Sequence, residues 1–126
     1  MTEPFPHLFS PLRLGRYILK NRIMNTGHAA HFQAGDGTPT EQYAHYVGER
    51  AKGGAAIIVT GHTVPVYDGE VSLSFTNFDD RVITWLGRMA AATHAYDVPL
   101  LAHLGHRGRR VADNAGRHRE SHRKYL

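Results

Sequence analysis

The chain has 126 residues, 41% hydrophobic and 21% charged, with a formal net charge of +4. That balance suits one globular domain of modest core. It excludes disulfides, thiol nucleophiles and Cys-ligated zinc, because there is no cysteine, and no apolar run nears the roughly 20 residues of a membrane-spanning helix.

The N-terminus, Met1-Thr2-Glu3-Pro4, has neither a basic nor an apolar signal region, so a cytoplasmic location is expected. Residues 9–19 read as a hairpin, with Leu12 and Leu14 alternating, Gly15-Arg16 turning and Tyr17-Ile18-Leu19 returning. Arg22 to Thr26 is a short strand ending at Gly27, and residues 27–37 form a loop. Thr38-Pro39-Thr40-Glu41 has the pattern of a capping box with proline at the first helical position. Tyr43, Tyr46, Val47 and Ala51 follow at helical spacing, and Gly53-Gly54 end that helix.

Ala55 to Thr60 is a continuous apolar run, the pattern of a parallel strand covered on both faces. A long loop, 61–78, leads to Asp79 or Asp80 as the cap of a second helix whose face is Ile83, Leu86, Met89, Ala90 and Thr93. Tyr96-Asp97 breaks it, and residues 98–104 form a third strand. Alternating strands and helices predict right-handed βαβ crossovers and a parallel sheet. Residues 1–106 hold 8 Lys/Arg against 9 Asp/Glu, and residues 107–126 hold 7 against 2, so the basic excess belongs to the tail.

Chemistry in α/β proteins gathers just past the carboxyl ends of strands. His103 stands at the end of the third strand, and His106 and Arg109 stand just past it. No metal site is expected. His103/His106 and His28/His31 are spaced three apart with no third ligand in evidence. Gly53-Gly54 follows a helix, so it reads as a terminator rather than a phosphate loop. Tyr67, Phe75 and Phe78 read as packing under the long loop, and Asp79-Asp80 as a helix cap.

Six blocks in order carry a resemblance. They are Leu8-Phe9-Ser10-Pro11-Leu12, Leu19-Lys20-Asn21-Arg22-Ile23, Asp36-Gly37-x-Pro39-Thr40, Glu49-Arg50-Ala51-Lys52-Gly53-Gly54, Ile57-Ile58-Val59-Thr60-Gly61 and His106-x-Gly108-Arg109. The chain thereby resembles the Old Yellow Enzyme family of FMN-dependent NAD(P)H oxidoreductases, nearest the 2,4-dienoyl-CoA reductase and trimethylamine dehydrogenase branch.

The resemblance implies an α/β fold, part of a TIM (β/α)8 barrel: an N-terminal hairpin, about three parallel strands and two helices in residues 1–110. A basic tail, 111–126, does not match the family pattern. It also implies that Asn25, Thr26, Gly27, His28 and Ala29 line FMN, that Gly61 allows close approach of the flavin ring, and that His103 stands where many relatives place a flavin-binding Gln. His106 and Arg109 would form an active-site wall, with Arg107 standing where a small residue is usual.

The family's substrate-binding pair would lie beyond residue 126, so no catalytic residue is assigned. A full barrel takes about 250 residues, and the chain reads as a truncated or frame-shifted piece, catalytically incomplete by itself. In the intact family NAD(P)H reduces the flavin, and a small-molecule acceptor takes the hydride. Two other readings are a nucleic-acid binder using the basic tail and a non-catalytic fragment that self-associates through open sheet edges. The tail has one aromatic residue, Tyr125, and no binding motif, so nucleic acid ranks below the flavin reading.

Overall fold

A computed structural model describes residues 4–34, 37–64, 75–76 and 80–105. Strands β1 (Leu12–Leu14) and β2 (Tyr17–Leu19) pair antiparallel as the expected hairpin, with Gly15 at φ 57° in its turn. Then come β3 (Met24–Asn25), α1 (Glu41–Lys52), β4 (Ile57–Val64), β5 (Phe75–Thr76), α2 (Arg81–His94) and β6 (Leu100–Leu104). β3, β5 and β6 each pair with β4, all parallel. The expected parallel sheet is present, with each helix between two strands of it. β5, inside the expected loop, is an addition that two residues of sequence do not announce.

β4 is the central strand, and its run is buried from Ala55 to Ile58, with Ile58 fully covered. Helix α1 buries Tyr43, Ala44, Val47, Gly48 and Ala51, one stripe at helical spacing. Helix α2 buries Val82, Met89 and Thr93. These side chains and Val98 form the main core. Each fully buried aliphatic contributes about 1.5–3 kcal/mol relative to exposure. The helices meet at small residues: a Cβ added to Gly48 would stand 3.3 Å from Ala92 Cβ.

Three local expectations need correction. Thr38 and Pro39 precede the first helix instead of opening it. Its N-cap is Thr40, which makes no side-chain cap bond, because its hydroxyl donates to the Phe32 carbonyl. The loop before it folds back on itself, with a Gln33–Pro39 bridge and the Ala34 amide on Thr38 O at 2.8 Å. Asp80 is the second N-cap residue, again without a side-chain cap bond. Ile83 is 62% exposed, so the covered stripe of α2 runs through Val82 instead. Gly53 and Gly54 do end α1, Gly54 at φ 102°.

Asn21 fastens the start of the sheet. It is buried, donates to Gly54 O at 2.8 Å and accepts from the Ile23 amide at 2.9 Å. No helix among the described residues is long and apolar enough to cross a membrane.

Candidate flavin-side site

Parallel pairing brings the carboxyl ends of β3, β4 and β6 to one end of the sheet. Residues 26–28 and 103 are exposed there, and Asn25 and Ala29 are partly covered. Two close approaches hold Gly27 here. A Cβ at Gly27 would stand 2.7 Å from Thr60 O and 2.8 Å from His103 Nδ1. Position 27 therefore accommodates only glycine without displacement of these groups. The segment after β3, the middle of β4 and the last residues of β6 meet at this point.

β4 carries an irregularity here. Val59 pairs with Leu101 and His62 with His103, so Thr60 and Gly61 face the single residue Ala102. Such a bulge leaves ladder groups without partners and bends the strand. The Thr60 hydroxyl compensates: it accepts from the His103 amide at 2.9 Å and donates to Gly61 O at 3.0 Å. Bulges are frequent beside functional sites.

Gly61 lies within β4, and it is buried. The space a side chain would fill is taken by the Tyr43 hydroxyl and the His28 carbonyl oxygen, the latter 2.7 Å from an added Cβ. The close approach that glycine permits at this position is thus one between protein groups. Tyr43 donates to His28 O at 3.1 Å. Burial pushes the Tyr43 phenol above its ordinary pKa, while backbone hydrogen bonds to Gly61 and Ala30 act in the opposite sense.

One turn further along α1, the Tyr46 hydroxyl lies 2.6 Å from His28 Nδ1, with the two rings stacked at 5.9 Å. Arg50 covers the Tyr46 ring, its guanidinium 3.3 Å from the centroid, and bonds Tyr46 O at 3.0 Å. Phe32 packs edge-on against Tyr43 and Tyr46.

The structure thus brings Asn25, Thr26, Gly27, His28, Ala29, Gly61 and His103 together. His106 and Arg109 lie outside the described residues, as do Tyr67 and Phe78. Sequence reasoning missed the roles of Tyr43, Tyr46 and Thr60, having read the tyrosines as helix face and Thr60 as a strand end. A usable signal existed: a buried tyrosine needs a partner for its hydroxyl. No group of three or more His, Asp or Glu side chains gathers as a metal set among the described residues.

The chain matches the NADH:flavin oxidoreductase / NADH oxidase family over residues 7–124. It is 30% identical to N,N-dimethylglycine/sarcosine dehydrogenase of Chromohalobacter salexigens, over 84% of this chain and 16% of that protein. It is 32% identical to a probable N-methylproline demethylase of Rhizobium meliloti, over 90% of this chain and 17% of the other. The old yellow enzyme homologue of Zymomonas mobilis superposes with a TM-score of 0.74 at 28% identity, over 82% of this chain and 29% of the solved one. The chain therefore spans about a sixth of the curated relatives' length and under a third of the solved structure.

Proposed function

Because the chain belongs to the NADH:flavin oxidoreductase / NADH oxidase family, whose members are FMN-dependent oxidoreductases built on a TIM barrel, we propose that it supplies one wall of an FMN site. The observation that carries this reading is the meeting of Gly27, just past β3, with Thr60 at the bulge of β4 and His103 near the carboxyl end of β6. In a barrel that end holds the active site.

The residues present suit a flat heteroaromatic ring with carbonyl acceptors. Residues 25–29 are exposed or half-exposed, Gly27 lets Thr60 and His103 approach the chain after β3, and two imidazoles, His28 and His103, stand there. FMN, when bound, accepts a hydride from a reductant such as NAD(P)H and passes it to an acceptor. This chain's residues position the ring and supply hydrogen bonds to it. His103 would contribute a ring nitrogen as donor or acceptor. Thr60 holds the His103 backbone, and Gly61 lets Tyr43 hold the loop after β3. His106 and Arg109 belong to the same proposed wall.

The substrate is a small molecule, for which an electron-poor alkene is the proposed acceptor class. Both curated relatives above are named for N-methylated amino acids, so an N-methyl amine is the electron donor to test first beside NADH and NADPH. A cytoplasmic location is part of this reading, consistent with the lack of cysteine.

The test is a titration of the labelled chain with FMN up to millimolar concentration, followed by amide chemical shifts. Weak binding is expected, with the largest changes at residues 25–29 and around His103. Changes confined elsewhere, or none at those residues, would refute the assignment.

A further inference from the structure

We propose that Tyr46 is a positioning residue that fixes the His28 imidazole as its Nε2–H tautomer, making His28 a preset hydrogen-bond donor at the carboxyl ends of the strands. Two phenols one turn apart on α1 hold a single residue. Tyr43 donates to the His28 backbone carbonyl, and Tyr46 meets the His28 ring at Nδ1. The ring is nonetheless exposed. A side chain held at both backbone and ring, yet left open to solvent, has the form of a group prepared for a ligand.

The direction of the ring bond follows from the chemistry of the two groups. At 2.6 Å the Tyr46 hydroxyl and Nδ1 are within hydrogen-bond distance. A phenol donates more strongly than it accepts and an unprotonated imidazole nitrogen is a strong acceptor, so we assign Tyr46 as donor and Nδ1 as acceptor. A neutral imidazole whose Nδ1 accepts carries its proton on Nε2. Tyr46 is itself held, with Arg50 over its ring and Phe32 and Tyr43 at its edges.

In this state the single in-plane lone pair, on Nδ1, is in use and Nε2 carries a proton, so the exposed nitrogen suits a carbonyl or carboxylate oxygen, or an unprotonated ring nitrogen, and not a metal cation. The identity of that acceptor rests on the flavin-site reading. The tautomer does not, so the experiment separates the two.

Long-range proton–nitrogen spectra of the labelled chain report which ring nitrogen carries the proton. The His28 signals are assigned by their loss in His28→Gln, and the spectra are recorded for the neutral imidazole form. Wild type is expected to show a protonated Nε2 and an acceptor-type Nδ1. Tyr46→Phe is expected to raise the Nδ1–H to Nε2–H ratio roughly fivefold, the factor one net hydrogen bond sustains. Tyr43→Phe, which touches the backbone bond instead, is expected to leave the ratio near wild type.

A wild-type ring protonated at Nδ1, or present as an even mixture, would overturn the proposal even if Tyr46→Phe fails to fold. Equal ratios in wild type and Tyr46→Phe, or an equal change in Tyr43→Phe, would overturn it as well.

Discussion

Alanine at position 61 is expected to be far more damaging than one methyl group suggests, and the damage is expected to depend on Tyr43. The added Cβ would overlap the Tyr43 hydroxyl oxygen outright, stand 2.7 Å from His28 O and 3.2 Å from Tyr43 Cζ. Overpacking of an ordinary core costs roughly 1–3 kcal/mol. Here the displaced phenol would also give up its bond to His28 O, which adds a further loss of roughly 1–3 kcal/mol. Gly61→Ala alone should therefore cost roughly 2–6 kcal/mol.

Tyr43→Phe alone should cost roughly 1–3 kcal/mol, since it leaves backbone groups without their partner. In the double variant the worst overlap is gone, while the contact with His28 O stays. Its cost should fall below the sum of the singles by roughly 0.5–3 kcal/mol. Equilibrium denaturant unfolding of wild type, both singles and the double measures all the terms. Strict additivity, or a neutral Gly61→Ala, would refute the packing account.

Thr60→Val keeps the shape but removes the acceptor for the His103 amide. A loss of roughly 1–3 kcal/mol is expected, with faster amide exchange at His103, and unchanged exchange there would count against the bulge-repair role. Asn21→Leu should destabilise by a similar amount, roughly 1–3 kcal/mol, because both bonds of its amide are made to backbone; unaltered unfolding would contradict this. Met89→Ala, at a fully buried site, should cost roughly 2–5 kcal/mol, readable in the same assay. The raised pKa of Tyr43 adds stability that is complete below the unfolded phenol's pKa, near 10.0, and is lost as pH rises through the folded one. Tyr43→Phe should flatten the alkaline decline in stability, and an unchanged alkaline slope would show that the buried phenol is not its source.

The order of strands and helices was legible because its signals are strong and local. The apolar run at Ala55–Ile58 and the Gly53-Gly54 stop leave little alternative. The cap before α1 was misread for a tertiary reason, since Phe32 O, eight residues back, takes the Thr40 hydroxyl. The face of α2 was ambiguous because Val82 and Ile83 both begin plausible stripes, and only the neighbouring α1 and β6 decide between them. β5 exists through its pairing with Thr63 and Val64, which no two-residue pattern announces. At the candidate site the strand ends were legible, whereas the phenols behind them were not. Their roles depend on a helix lying against the loop after β3.

The contact between Gly48 and Ala92 has a consequence for curvature. Strands are spaced roughly 4.8 Å apart and packed helices roughly 8–10 Å. Two concentric layers joined unit by unit must bend by the difference between those spacings. Neighbouring strands cannot change theirs without breaking the ladder, so the helix spacing governs the arc. Bulk at position 48 would push α1 from α2 on the outer surface and tighten the bend of the inner sheet. The curvature of the sheet that presents Gly27 and His103 is thus governed partly by a glycine on the helix layer.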